Sequence, residues 1–177
     1  MSDGVTLRNY DPAWAHAFRV EHNLLLERLD PRPLAIEHIG STAIEGLAAK
    51  PIIDILIHVE DRALALACVP AIEALGYANV PNYIDPNRVV LIKRGADGER
   101  THHVHVHSDA EEVRRHLMFR DRLRADPAAL NAYAALKQDL AQRFADDRAA
   151  YSKHKTAFID ALVLGMGGPA RKTPWNP

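Results

Sequence analysis

The stretch HIGSTAIEGLAAKPIIDILI, residues 38–57, joins a glycine-serine turn to the most apolar run of the chain. Before the turn, residues 34–39 (LAIEHI) alternate roughly as a strand does, and Gly40-Ser41 then turns the chain. After it, residues 51–59 (PIIDILIHV) are β-branched and nearly continuously apolar. A run of that kind is typical of a strand buried on both faces, so we expect it at the centre of a sheet.

The sequence on either side predicts further helices and one more pair of strands. Apolar spacing predicts helices over residues 12–29, 62–75, 109–125, 127–145 and 147–164, and alternation predicts strands over 88–93 and 101–107. Strands with interspersed helices, followed by a helical run, indicate an α/β (α+β) domain: a mixed β-sheet flanked by helices, with a C-terminal helical segment. We expect a single domain over residues 1–165 and a flexible Gly/Pro-rich tail over residues 166–177.

The composition excludes several classes of protein. Of the 177 residues, 25% are charged and 47% are apolar, fractions found in ordinary globular proteins and not in disordered chains. A net charge of −1 gives no overall attraction to nucleic acid or membranes, so any phosphate site must be built locally and long nucleic acids are disfavoured as substrates. The single Cys68 excludes a disulfide framework. Without a visible signal peptide or membrane-spanning run, we expect a cytoplasmic protein.

Asp54 is the first candidate for chemistry, because it places a carboxylate inside an apolar strand. Burying an ionised carboxylate is costly unless a metal ion, a cation or several hydrogen-bond donors compensate for the lost water. A metal-binding or catalytic role explains the position of Asp54. The alternative is a structural ion pair with Lys50 or with an arginine.

Histidines alternate along residues 101–107, which read THHVHVH. At the strand period of two, His103, His105 and His107 share one face, whereas His102 shares the other face with the valines. Imidazoles on one face could supply two metal ligands, or a base and a phosphate donor. The alternative is a half-exposed strand whose histidines bind nothing.

The turn itself has the composition of an anion site. Gly40 lets the backbone come close to a ligand, and Ser41 adds a hydroxyl donor to the backbone N–H groups. The plainer alternative is a strand-to-helix turn in which Ser41 or Thr42 caps the helix.

Helical spacing also places cations in pairs. Arg120 and Arg124 are four positions apart, as are Tyr133 and Lys137 and also Tyr151 and Lys155, so each pair shares one helix face. Held near the turn, such cations would neutralise the charge of a nucleotide or another phosphate ligand. For any single pair, the alternative is a solvated helix surface.

Together these residues resemble the GrpB family, which belongs to the polymerase-β-type nucleotidyltransferase superfamily. Residues 38–57 carry the closest match, and HVHV at 103–106, FRDRLRAD at 119–126, YAALKQDLAQRF at 133–144 and YSKHKTAFI at 151–159 follow in order. The resemblance runs from Val5 to Leu164 and so covers almost the whole chain. It implies a nucleotidyltransferase-like sheet in which the Gly-Ser turn lies beside an acidic strand. In active members of the superfamily, the turn holds nucleotide phosphates and three carboxylates hold two Mg²⁺ ions.

This chain departs from that pattern in two places. Ile52 and Leu56 are the same-face neighbours of Asp54, so one carboxylate of the strand pair is absent. The strand expected to carry the third carboxylate presents His103 and His105 instead. Imidazole suits Zn²⁺, Mn²⁺ or Ni²⁺ better than Mg²⁺, which prefers oxygen ligands.

The leading hypothesis is a metal-dependent nucleotidyltransferase that acts on ATP or another NTP and a small-molecule acceptor, with Mg²⁺, Mn²⁺ or Zn²⁺. Its predicted catalytic residues are Asp54, His103 and His105, and the predicted metal ligands are the same three residues with His38. The predicted nucleotide-binding residues are Gly40, Ser41, Thr42, Lys50, Arg120, Arg124, Lys137 and Lys155. One alternative is a non-catalytic module that binds a phosphorylated ligand, which fits the family's occurrence attached to dephospho-coenzyme A kinase. Another is a His/Asp metal-dependent hydrolase on the same fold.

Overall fold

The computed structural model describes residues 5–80, 85 and 87–172. The elements in chain order are α1 (Ala13–Arg28), β1 (Ala35–Ile39), a 3₁₀ turn (Ser41–Ala43), β2 (Ile53–His58), α2 (Arg62–Ala67), α3 (Val69–Glu73), β3 (Tyr77–Val80), β4 (Arg88–Arg94), β5 (Arg100–His107), α4 (Ala110–Ala125), α5 (Pro127–Arg143) and α6 (Arg148–Gly165). The strands form one sheet in the order β1-β2-β5-β4-β3. Strands β2 and β5 are parallel, whereas the other neighbouring pairs are antiparallel. This mixed sheet with its C-terminal helices confirms the predicted fold class.

The helices cover the two faces of the sheet separately. The first face presents residues such as Ile55 and Val104 to α1, α2 and α3, and the largest apolar core lies there. Helix α4 crosses the second face, where its Val113 packs against Leu56. Helices α5 and α6 lie beside α4 around a smaller core that includes Tyr133. None of the helices in the described ranges could span a bilayer, since none combines enough length with enough apolar character.

Three details of secondary structure differ from the predictions. Strand β2 lies second in the sheet and β5 is central, although β2 still has a strand on either side, which explains its apolar run. The helix predicted over residues 62–75 is split at Cys68 into α2 and α3, because Pro70 has no N–H to donate and suits only the first turn of a helix. Strand β3 was not predicted, since it is short and mostly exposed and shows no alternation.

The segment after α6 contacts the domain within the described residues. Arg115 Nη1 donates to the Pro169 carbonyl at 2.6 Å, and Arg171 Nη2 donates to Asp160 Oδ1 at 2.9 Å. Lys172 Nζ lies 2.8 Å from Asp109 Oδ2. The first part of the predicted tail therefore packs along α4 and α6, and residues 173–177 lie outside the described residues.

Candidate functional site

Asp54 on β2 and two histidines on β5 form a compact cluster. The parallel register aligns Asp54 with His103 and Leu56 with His105, so all four side chains point to the α4 face. His103 Nδ1 lies 3.1 Å from Asp54 Oδ1, and His105 Nε2 lies 3.6 Å from the same oxygen. One ligand atom from each of the three residues lies within 4.8 Å of the others. The predicted strand face is therefore correct, and the three atoms are close enough to bind one metal ion.

The protonation states of the cluster suit a metal ion. Burial alone would raise the pKa of the Asp54 carboxyl, but hydrogen bonds with His103 and His105 hold it below its ordinary value. Burial lowers the pKa of His105. At neutral pH the cluster therefore presents an ionised carboxylate and a neutral imidazole, the forms in which these groups ligate metals.

Gly40 brings the turn against this cluster. Its φ of +71° lies in the left-handed region that favours glycine. A Cβ at this position would lie 3.1 Å from the Asp54 Cβ and would overlap the Asp54 carboxylate. Glycine at position 40 thus allows the backbone before Ser41 to pass directly over Asp54.

The cluster opens into a cleft with two lobes. The first, the lysine lobe, is a cavity of about 210 Å³ whose cations are Lys50, Lys137, Arg148 and Lys155. The second, the arginine lobe, is a cavity of about 310 Å³ whose cations are Arg88, Arg115 and Arg171. Four residues line both lobes: Ser41, Asp54, Ser152 and Lys155. The two cavities therefore meet at the Asp54 cluster.

The lysines of the first lobe lie close to one another, with Lys137 buried and Lys50 and Lys155 half-buried. Lys137 Nζ donates to the Ala48 carbonyl at 2.5 Å, while Lys50 and Lys155 place their ammonium groups 5.3 and 4.4 Å from the centre of the Tyr151 ring. Burial, followed by repulsion from neighbouring cations, lowers the pKa of Lys50 and of Lys137 to about 7. Burial lowers the pKa of Lys155 to about 8, although Asp54 opposes that shift. An anion in this lobe would relieve both the lost hydration and the repulsion.

Thr42 lines the lysine lobe, but neither Thr42 nor His38 joins the metal cluster, although both were predicted as site residues. The Thr42 hydroxyl donates to the Ile52 carbonyl at 3.1 Å, so it accepts from His38 Nε2 at 3.0 Å. His38 aligns with Ile55 and therefore lies on the opposite face from Asp54, where it stacks on Phe18 with ring centroids 4.7 Å apart. Burial lowers the pKa of His38 to about 4. The predicted metal role of His38 does not fit this position, and the Thr42 hydroxyl already has a structural acceptor.

Arg120 and Arg124 brace the turn and do not line the cleft. Arg120 Nη1 donates to Glu37 Oε2 at 2.7 Å and to the His38 carbonyl at 3.1 Å. Arg124 donates to the Ala43 carbonyl from Nη2 at 2.8 Å and from Nε at 3.0 Å. Both line a separate groove beside α1. Their predicted phosphate role is therefore replaced by a structural one.

Several cleft residues were not predicted. Arg148 and Ser152 lie on the same face of α6 as Lys155, at helical spacings that extended periodicity around Lys155 would have revealed. Arg88 and His116 come from β4 and α4, and no spacing along the chain connects them with Asp54.

Comparison with known proteins agrees with this architecture. The family model described as "GrpB protein" matches residues 4–164. The UPF0157 protein PA4798 of Pseudomonas aeruginosa is 37% identical over 97% of this chain and 71% of its own length. The crystal structure of conserved protein GrpB from Enterococcus faecalis superposes with a TM-score of 0.79 at 39% identity, over 89% of this chain and 94% of that one.

A more distant similarity concerns the fold alone. The structure of Cid1 in complex with its short product ApU superposes with a TM-score of 0.52 at 16% identity, over 77% of this chain and 43% of that one. That similarity identifies the sheet as nucleotidyltransferase-like. With the family match and the related crystal structure, it leads to one conclusion: the chain belongs to the GrpB family.

Proposed function

We propose that this protein is a metal-dependent nucleotidyltransferase that binds ATP or another NTP in the lysine lobe and transfers its nucleotidyl group to a small-molecule acceptor. The observation that carries the proposal is the Asp54-His103-His105 cluster at the meeting point of the two lobes. A triphosphate in the lysine lobe would lie within reach of these ligand atoms and of the surrounding cations.

The lysine lobe supports a phosphate ligand through its charge. Lys50, Lys137 and Lys155 line the same small cavity, and burial lowers the pKa of each of them. Such an arrangement is unfavourable when the lobe contains only water, and it favours a compact polyanion. Ser41 and Ser152 add hydroxyl groups where this lobe meets the metal cluster.

Asp54, His103 and His105 would hold the metal ion. Two imidazoles and one carboxylate fit Mn²⁺ or Zn²⁺ better than Mg²⁺, and they do not supply the carboxylates of two Mg²⁺ sites. When bound, such an ion polarises a phosphoryl oxygen as a Lewis acid. The chain's own contribution is to orient the triphosphate, with Lys155 next to Asp54 and the other lysines along the phosphates.

The test is calorimetric titration of ATP and GTP in Mg²⁺, Mn²⁺ and Zn²⁺, followed by measurement of pyrophosphate release with a panel of small-molecule acceptors. We expect metal-dependent binding that Asp54→Asn abolishes and that the exposed variant Arg114→Met leaves intact. Absence of NTP binding in all three metals would contradict the proposal. Binding without pyrophosphate release would favour the non-catalytic module, and phosphate-ester cleavage with a retained transition metal would favour the hydrolase.

A further inference from the structure

The arginine lobe has a composition that a nucleotide triphosphate does not explain. It adjoins the Asp54 cluster and shares Lys155 with the lysine lobe, but its own cations are arginines and part of its wall is apolar. Its volume of about 310 Å³ lies at the lower end of the range for small-molecule sites, roughly 300–1,000 Å³. A second small molecule in this lobe would stand directly beside the phosphates and the metal.

Arg88 retains one unpartnered donor in this lobe, while the Asp85 and Glu112 carboxylates stabilise its positive charge. Its alignment with His107 puts it on the face of the sheet that carries Asp54. Its Nε is buried and has no hydrogen-bond partner among the described residues. The other two arginines of the lobe, Arg115 and Arg171, both bind the Asp160 carboxylate.

Part of the wall of the arginine lobe is aromatic and aliphatic. The rings of Phe119 and Tyr133 meet edge to face with centroids 5.1 Å apart, and Ile39 and Ile159 complete the apolar surface. A planar guanidinium matches the two oxygens of a carboxylate. The combination fits an organic anion with an apolar body better than it fits free phosphate.

Two titratable groups that belong to this lobe alone, His116 and Glu112, are poorly suited to remove a proton. Burial lowers the pKa of His116 to about 3, which makes its imidazole a weak base. The Glu112 carboxylate is engaged by Arg115 Nε at 3.5 Å and by the backbone N–H of Lys172 at 3.3 Å. His105 is already assigned to the metal. A hydroxyl acceptor would have to lose a proton here, whereas a carboxylate has none to lose.

We propose that the arginine lobe binds the acceptor, and that this acceptor is a carboxylate with an apolar body; the inference rests on the proposed function. One carboxylate oxygen attacks the α-phosphorus of the NTP and forms a new P–O bond. The bond from the α-phosphorus to the bridging oxygen breaks, and pyrophosphate leaves with the electron pair. The product is an acyl nucleotide, a mixed anhydride. The step moves no proton and requires no oxidant or reductant.

The experiment uses benzoate as the probe and benzamide as its neutral isostere, with binding followed by ligand-observed NMR. We expect benzoate to bind the wild-type chain and benzamide to bind at least about tenfold more weakly, since one charge-assisted bidentate contact is lost. Arg88→Met should weaken benzoate binding by a similar factor, while Arg88→Lys restores part of it. Arg114→Met, which removes an exposed arginine of α4, should leave it unchanged.

Equal binding of benzamide, or no benzoate binding by the wild-type chain, would overturn the proposal without any need for a variant. Benzoate binding that survives Arg88→Met would overturn it as well. ATP titration of the same samples reports separately on the proposed function. If ATP fails to bind while benzoate binding depends on Arg88, the nucleotidyltransferase proposal fails and the carboxylate site stands. If ATP binds and benzoate does not, the carboxylate site fails and the nucleotide site stands.

Discussion

Gly40 lies against Asp54 so closely that a Cβ on the glycine would stand 3.1 Å from the Asp54 Cβ and collide with its carboxylate. The contact joins the end of β1 to the acidic position of β2, where the register aligns Ile39 with Asp54. The turn and the metal cluster are therefore one structural unit. A substitution in the turn should therefore alter metal binding at the cluster.

Gly40→Ala should abolish metal binding and lower the free energy of unfolding by about 2–4 kcal/mol, because the side chain adds a collision to the strain of a positive φ. Gly46→Ala is the matched control, since Gly46 has a φ of +78° but nothing within 4 Å of the added carbon. That variant should cost about 1–2 kcal/mol and keep metal binding. Urea unfolding and metal titration of both variants make the comparison. Equal losses of stability and of metal affinity in the two variants would mean that the close contact of Gly40 with Asp54 is not what makes glycine necessary at position 40.

Substitutions along β5 test the face assignment. His103→Ala and His105→Ala should each weaken Mn²⁺ or Zn²⁺ binding by about 100-fold, because each removes one of three ligands. His102→Ala, on the opposite face beside Tyr77 with ring centroids 6.4 Å apart, should change metal affinity by less than about twofold, since its ring faces the other core. Metal affinity is read by competition with a chelating dye. Similar losses at all three positions would contradict the proposed cluster.

Substitutions of Arg120 and of Lys155 should have opposite effects, the first on the stability of the fold and the second on ATP binding. Arg120→Met removes the partner of Glu37 and of the His38 carbonyl, so it should lower the free energy of unfolding by about 2–3 kcal/mol. ATP affinity of the folded variant should stay near the wild-type value. Lys155→Met should do the opposite: it should keep or raise stability, because a buried cation is lost, and weaken ATP binding by at least about tenfold. A loss of ATP affinity in Arg120→Met at unchanged stability would restore the phosphate role that its sequence position suggested.

The contrast between these two residues shows what the sequence can predict. A spacing of four positions establishes that Arg120 and Arg124 share a helix face, and that Tyr151 and Lys155 do. It does not establish which part of the fold that face contacts. The Lys155 ammonium does lie 4.4 Å from the Tyr151 ring and at the cleft. The other pair meets a carboxylate and carbonyl oxygens at the β1 edge instead.

The prediction that His103 and His105 share one face was correct because it depends only on the sequence of one strand. The period of two that puts His103 and His105 on one face is a property of β5 alone. The pairing that aligns His103 with Asp54 joins residues 49 positions apart, and it follows from sheet order, which no local pattern contains. His38 was mistaken for a ligand for this reason, because its nearness to the turn in sequence says nothing about its face.

Glu21 forms a buried structural network on the opposite face of the sheet, well separated from the cleft. Its carboxylate accepts from the Tyr77 hydroxyl at 2.9 Å and from Lys93 Nζ at 2.7 Å, and only 7% of its side chain is exposed. Glu21→Ala should lower the free energy of unfolding by about 2–3 kcal/mol, because it leaves the buried Tyr77 hydroxyl and the partly buried Lys93 ammonium without an acceptor. Asp139→Ala, which removes an exposed ion pair with Arg143, should cost less than about 1 kcal/mol. ATP titration should be unchanged in both, and a loss of nucleotide binding in Glu21→Ala would show that the two faces are coupled.

Nucleotide binding should take up protons near neutral pH. In the free protein burial and repulsion lower the pKa of Lys50 and of Lys137 to about 7, and burial lowers that of Lys155 to about 8. These lysines are therefore partly neutral at pH 7.5. A bound polyphosphate favours their charged forms and raises each pKa, so protons must be taken up, and affinity should fall as the pH rises from 7 to 9. The charged groups that act on them are one another, Asp54, Arg148 and Arg100.

Whether protons are taken up or released can be measured by calorimetry, in which ATP is titrated into the protein in the presence of Mn²⁺ at pH 7.5, in buffers of different ionisation enthalpy. We expect a net uptake of about one to two protons per ATP, because Lys50 and Lys137 are mostly neutral at this pH and Lys155 is partly so. Lys50→Met should reduce the uptake, since it removes one of those groups, while Arg114→Met should leave it as in the wild-type chain. Net release of protons, or an affinity that stays constant between pH 7 and pH 9, would mean that the nucleotide phosphates do not lie among these lysines.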